Sequence, residues 1–138
     1  MSMEDNKQLA RDYFKAFLAK DVGWFRDHIE PGFRRHDPGL PFEVVGPQGV
    51  EQLADALLPA IPALRLDIED VVAEGEKVLV RLTIHGTHGG ELLGIPPTGR
   101  TLKIAVLDLV HIRGGRLAEH WALLDNLGML RQLGVNAI

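Results

Sequence analysis

The chain reads as an α+β fold, helices first and strands after. Up to about residue 62 its apolar residues recur at three- and four-residue spacing, the period of an amphipathic helix. From Leu64 onward they recur at every second position, the period of a strand with one buried face. Two Gly-containing tight turns, Glu74-Gly75-Glu76 and Arg113-Gly114-Gly115, link these later segments into hairpins. Helices segregated ahead of a hairpin-linked sheet define the α+β pattern. A chain of 138 residues holds one core and is too short for two, so residues 1–138 are expected to form one domain.

The first helix is expected from about Asp5 to Lys20. Leu9, Tyr13 and Phe17 repeat at i+4, Ala10 and Phe14 widen the stripe, and Arg11, Asp12 and Lys15 face out. Asp5 with Gln8 three residues on has the form of a capping box. Asp21 can cap a shorter helix carrying Val22, Trp24 and Phe25, which Pro31 and Gly32 are expected to end. Phe33 to Pro38, FRRHDP, is long enough only for an edge strand or an extended loop. Pro47 suits the first turn of a third helix, whose stripe is Val50, Leu53, Ala54, Leu57 and Leu58, with Pro59 and Pro62 as its stop.

The first long strand alternates Leu64, Leu66 and Ile68 with charged neighbours and runs to Ala73. The second carries Val78, Val80, Leu82 and Ile84 on one face. Gly86 to Arg100 is long for a hairpin connection and rich in Gly and Pro, which points to a lid or rim. Leu102 to Ile112 is apolar on both faces, with Ile104, Val106 and Val110 opposing Ala105, Leu107 and Leu109. Both faces then need cover: the helices supply one, and a second subunit is expected on the other, against Ile104, Val106 and Val110. In the last strand, Leu117, Glu119, Trp121 and Leu123 share a face by the period-2 rule, and Asp125 follows in the same phase. Leu127, Leu130 and Leu133 then form a short terminal helix stopped by Gly134.

Composition excludes several classes of function. A net charge of −4 gives no basic field for nucleic acid. No apolar run approaches the roughly 20 residues of a membrane span. The acidic, polar N-terminus lacks the basic-then-apolar pattern of a signal peptide, so a cytoplasmic protein is expected. With no cysteine and Ser2 as the only serine, disulfides, thiolate metal sites and the usual nucleophiles are unsupported.

Asp125 sits where an apolar strand hands over to an apolar helix. It reads either as a general acid/base raised in pKa by its surroundings or as the N-cap of the last helix, and the two roles are compatible. His111 lies on an apolar strand face, as a satisfied core histidine or a partner of Asp125. His36-Asp37-Pro38 places two titratable groups beside a fixed turn, and Tyr13 and Trp24 read as core or pocket wall. His85 and His88 are three apart and point to opposite faces of a regular strand, with no nearby carboxylate at zinc-type spacing, so no metal is expected.

The run DVVAEGEKVLVRLTIHGTHGGELLGIPPTGRTLKI, followed by DLVHIRGGRLAEHWALLDNLGMLRQLG, resembles the SnoaL-like polyketide cyclases. These belong to the nuclear-transport-factor-2-like superfamily, which also holds ketosteroid isomerase and limonene epoxide hydrolase. The elements that carry the resemblance are Gly86-Thr87-His88, Pro96-Pro97-Thr98-Gly99-Arg100 and Glu119-x-Trp121-x-x-x-Asp125, with His36-Asp37-Pro38 upstream. The resemblance implies a cone-shaped barrel, a strongly curved antiparallel sheet around a pocket closed by the N-terminal helices, in a homodimer paired through the outer sheet face. It implies acid/base catalysis of an intramolecular aldol ring closure, without metal or organic cofactor, on a small, apolar, carbonyl-bearing compound. The family's aspartate matches Asp125, and its histidines match His111 and His36. Tyr13, Trp24, Trp121 and Leu107 would then line the ligand. The epoxide hydrolases use an Arg-x-Asp pair where this chain has Arg81-Leu82-Thr83, and a ketosteroid-isomerase-like role would rest on Tyr13 and Asp37. A non-catalytic small-molecule-binding protein on the same fold is the alternative of a different class.

Overall fold

The computed structural model describes residues 2–135. Helix α1 spans Met3–Ala19 and α2 Val22–His28; strand β1 (Ile29–His36) and the two-residue β2 (Val44–Val45) lead into α3 (Gly46–Ala60). Strands β3 (Arg65–Glu74), β4 (Lys77–Thr87), β5 (Thr101–Arg113) and β6 (Arg116–Leu124) follow, and α4 (Asn126–Gln132) closes the described chain. One sheet holds all six strands in the order β2-β1-β6-β5-β4-β3. It is curved and open, since its ends β2 and β3 do not pair, and it is mixed, since β1 runs parallel to β6. The all-antiparallel sheet expected from the sequence is corrected on that point.

The capping box of α1 is built from Ser2 and Asp5, not from Asp5 and Gln8. The Asp5 N–H donates to Ser2 Oγ and the Ser2 N–H donates to Asp5 Oδ2, both at 3.1 Å. Helix α2 ends at His28, three residues before Pro31. Pro31 and Gly32 lie inside β1, at a register break between Ile29 and Arg34, where the lost backbone donor is tolerated. The segment FRRHDP therefore belongs to an eight-residue strand, second in the sheet and not at its edge. At the β5–β6 turn both Gly114 and Gly115 have positive φ, the requirement of a type I′ hairpin.

Two β-bulges decide which residues face inward. On β6, Ile112 pairs with Leu117 and His111 pairs with Glu119, so Ala118 is the extra residue. Leu117 faces in on one side of it, and His120, Ala122 and Leu124 take the inner phase beyond it. Glu119, Trp121 and Leu123 are turned outward. On β3, Glu69 is the extra residue between the pairs Ile68–Leu82 and Asp70–Arg81, and it shifts the phase of that strand too. Each bulge bends its strand and adds to the curvature of the sheet.

The concave face carries the core. Leu102, Ile104, Val106, Val110 and Ile112 of β5 and Val78, Val80 and Leu82 of β4 are buried beneath α1 and α3. The row Ile104, Val106 and Val110, expected to meet a second subunit, is thus the inner row. The convex face instead shows Val72, Leu79, Leu107 and Leu123, with Leu123 61% exposed.

Candidate active site

Helices α1 and α3 and the loops 38–43 and 89–95 close the concave side of the sheet into a cavity of two adjoining lobes. Counted out to their open mouths, the lobes hold about 460 and 540 Å³. They share Arg35, Leu57, Leu64, Ile84 and Leu124 as a common wall. Phe14, Phe17, Leu66, Leu82 and Val106 make the first lobe apolar; Leu40, Leu53, Ile61, Leu92 and Met129 do so for the second. A few polar groups set in an apolar chamber are the usual composition of a small-molecule site.

Those polar groups form one buried cluster. Asp108 interrupts the apolar inner row of β5, flanked in register by Val80 of β4 and Ala122 of β6. Its Oδ1 lies 3.1 Å from Nε2 of His120, the next inner residue of β6 toward the hairpin turn, and both side chains are buried. The distance lets the charges act on one another, but the alignment does not make a hydrogen bond, and Asp108 Oδ1 and both His120 nitrogens lack a partner. Burial pushes the His120 pKa below its ordinary value, against the pull of the Asp108 charge, so the imidazole is neutral at neutral pH.

Arg35 comes from β1, in phase with the core residue Phe33. Its Nε and Nη2 both donate to Asp37 Oδ2, at 3.2 and 3.0 Å, while Asp37 Oδ1 accepts the Gly39 N–H at 3.0 Å. Burial works against the Arg35 charge, but Tyr13, Asp108 and Asp37 outweigh it and raise its pKa. Tyr13 of α1 packs its ring edge-on to His120 at 5.9 Å and to Phe14 at 5.3 Å. Burial pushes its phenol up to about 12 in spite of the Arg35 charge, and its hydroxyl has no hydrogen-bond partner.

Of the residues singled out in the sequence, Tyr13 lines the cavity and Asp37 borders its second lobe. Trp24 stands behind Tyr13, 6.3 Å away, and stacks on His28. The other candidates lie elsewhere. Asp125 is exposed and caps α4, its Oδ1 accepting the Gly128 N–H at 2.9 Å. His36 is on the convex face, 2.5 Å from Glu119 Oε2 and stacked on Trp121. His111 is also convex, 3.2 Å from Glu76 Oε1, and Leu107, four residues earlier on the same outer row of β5, is 44% exposed. For Trp121 and Asp125 the reason is the Ala118 bulge together with the end of β6 at Leu124, which leave them out of the inner phase, whereas His36, His111 and Leu107 lie on the outer rows of β1 and β5. His85 pairs with Asp67 at 3.1 Å, and His88 Nδ1 accepts the Thr98 N–H at 3.2 Å, so they do not form a common site.

The sequence reading missed Arg35, Asp108 and His120. The available signal was a single carboxylate in phase with Ile104, Val106, Val110 and Ile112, at a position where alternation demands an apolar residue.

Comparison with known proteins agrees with this architecture. The family model described as SnoaL-like polyketide cyclase matches residues 7–133. The aklanonic acid methyl ester cyclase DnrD of Streptomyces peucetius is 31% identical over 110 residues, 78% of this chain and 72% of that protein. The nogalonic acid methyl ester cyclase of Streptomyces nogalater is 36% identical over 109 residues, 78% of each chain. The solved structure of TsrD from Streptomyces laurentii superposes with a TM-score of 0.86 at 29% identity, covering 99% of both chains. The two named cyclases are enzymes, and this chain belongs to the SnoaL-like polyketide cyclase family.

Proposed function

We propose that this protein is a cyclase that closes a carbocyclic ring by intramolecular aldol addition, with Asp108 as its acid/base. The observation that carries the reading is a buried carboxylate on the wall of an apolar cavity, 3.1 Å from a buried imidazole, with no hydrogen bond to its Oδ1 among the described residues. A protonated histidine at 3.1 Å would make the carboxylate a weaker base; a neutral one leaves it able to take a proton from carbon.

The chemistry follows in three movements. Asp108 removes a proton from the carbon next to a substrate carbonyl, and the C–H electron pair becomes an enolate. The enolate carbon attacks a ketone carbon of the same molecule, forming the new C–C bond and driving the carbonyl π pair onto oxygen. That alkoxide recovers the proton from Asp108, so nothing is gained or lost and no redox partner enters. In the interval Asp108 holds the proton as a neutral acid beside the neutral imidazole of His120. The ligand class is a largely apolar, carbonyl-bearing molecule, consistent with the cavity walls.

The relatives' names supply a test compound, nogalonic acid methyl ester. Asp108→Asn keeps the size of the side chain and removes the base, so cyclisation should fall by roughly 10²-fold or more while the fold persists. Undiminished turnover would remove Asp108 from the mechanism. Two copies are further proposed to pair through the convex face, where Val72, Leu79, Leu107 and Leu123 are exposed; an apolar sheet face left in water favours association.

A further inference from the structure

Among the described residues, Arg35 is the only one with a permanent positive charge on either lobe of the cavity, and it lies on the wall common to both. Two of its three nitrogens, Nε and Nη2, are committed to Asp37 Oδ2, and Asp37 is itself pinned by the Gly39 N–H. The guanidinium is therefore held in a fixed plane. Its Nη1 makes no hydrogen bond to protein among the described residues. The Tyr13 hydroxyl, near enough to feel the Arg35 guanidinium, is buried on the same lobe and has no aligned hydrogen bond to protein among the described residues. Two donors without acceptors, one charged and one neutral, thus border the chamber that holds the carboxylate.

We propose that Arg35 Nη1 and the Tyr13 hydroxyl form an oxyanion subsite that receives the enolate oxygen of the carbonyl compound. The inference rests on Asp108 being the base and extends it to the other end of the proton transfer. Before the step the chamber holds Arg35 as a cation and Asp37 and Asp108 as anions. After it, Asp108 is a neutral acid and the negative charge sits on the substrate oxygen. The step moves one negative charge across the chamber without creating a new one, and Arg35 interacts with both positions. Donors already in place need no rearrangement as the charge arrives, which is how an oxyanion site lowers a barrier. Asp37 is a positioning residue: it touches no reacting atom and sets the plane of the guanidinium.

The test separates this subsite from the base. Asp108→Asn mimics the neutral acid present while the enolate exists, so a phenolate, an enolate analogue with a visible spectrum, should bind this variant as the anion. The probe is 4-nitrophenol, yellow when ionised and colourless when not. It is titrated with the Asp108→Asn protein about one unit below the phenol's own pKa, where the free phenol is mostly neutral. The expected result is appearance of the yellow form on binding, with the bound phenol's pKa lowered by about one unit or more, a tenfold or greater preference for the anion.

Removing Arg35 alone would leave Asp37 buried and unpaired, so the second protein adds Arg35→Met with Asp37→Asn, which removes both charges together. In it the yellow form should vanish, while binding of uncharged naphthalene persists as proof of an intact cavity. Tyr13→Phe should reduce the anion preference in part. A colourless bound phenol in the Asp108→Asn protein, or anion binding unchanged by the Arg35 and Asp37 substitutions, would overturn the subsite even if Asp108 proves essential for ring closure. Anion binding with full turnover by Asp108→Asn on nogalonic acid methyl ester would overturn the base assignment and leave the subsite standing as an anion site only.

Discussion

Tyr13→Phe should make the protein more stable and less active. The ring is 1% exposed and keeps all of its packing in the variant: Phe14 at 5.3 Å, His120 at 5.9 Å, Trp24 at 6.3 Å and Phe17 at 6.4 Å. What is removed is a buried hydroxyl that makes no hydrogen bond to protein among the described residues. Such a group costs about 1–3 kcal/mol, so deleting it should return roughly 1–2 kcal/mol once loss of the atom's packing is allowed for. For a chain of this length, that corresponds to a rise in Tm of about 3–7 °C. Circular dichroism melts of both proteins at neutral pH give the comparison, and melts at alkaline pH supply a check on its cause. The wild-type phenol titrates at about 12 when folded, against 10.0 for an ordinary tyrosine. A group whose folded pKa is raised contributes stability below the unfolded value and loses it as pH climbs through the folded one. Wild type should therefore lose up to roughly 2.7 kcal/mol from this residue between about pH 10 and 12, and the Phe variant none of it. Ring closure should slow by roughly 10²-fold, the usual effect of deleting one oxyanion donor. A neutral-pH melt showing Tyr13→Phe destabilised by more than about 1 kcal/mol would refute the reasoning, because the hydroxyl would then have a partner worth keeping.

Three further substitutions test other parts of the structure. The folded pKa of His120 is lowered, so its neutral form contributes stability that is present above the ordinary histidine value of about 6.5 and is lost as pH falls below it. His120→Gln should flatten that acid limb in melts from pH 7 to 5 (roughly the histidine range), and an unchanged limb would place the proton uptake elsewhere. Asp125→Ala should cost about 0.5–2 kcal/mol and Asp125→Asn almost nothing, as expected of an N-cap. Both should retain cyclisation; loss of turnover in the Asn variant would bring Asp125 back into the chemistry. Leu107→Glu with Leu123→Glu should give a well-folded monomer in sedimentation runs where wild type is a dimer, and a monomeric wild type at micromolar concentration would end the convex-face proposal.

The order of elements was legible because helix and strand periods differ and the turns carry Gly and Pro where the backbone requires them. Of strand β1 only the end from Phe33 was legible, as an edge strand or an extended loop, because its partner β6 lies more than 80 residues away and Pro31-Gly32 looks like a stop from local sequence alone. Tertiary pairing across a register break made a strand from residues with little local preference for one. The inner and outer faces of β5 were equally hard to tell apart. Both rows are apolar, so alternation shows that the strand is covered twice without saying by what.

One bulged residue accounts for the misplacement of Trp121 and Asp125. Counting by twos from Leu117, itself an inner residue, puts Trp121 and Asp125 on its face; inserting Ala118 as an unpaired residue reverses everything beyond it. After that reversal His120 is the inward histidine, and Trp121 packs with His36 on the convex side. A bulge leaves no mark in composition, but the polar residues do once the phase is known. Asp108 and His120 are each a titratable group in an otherwise apolar inner row, and they lie on adjacent strands. Burying such a pair without hydrogen bonds works against stability. A core selected for stability alone would carry Val or Leu at both positions, and their presence on the cavity side of the sheet is what the proposed proton transfer accounts for.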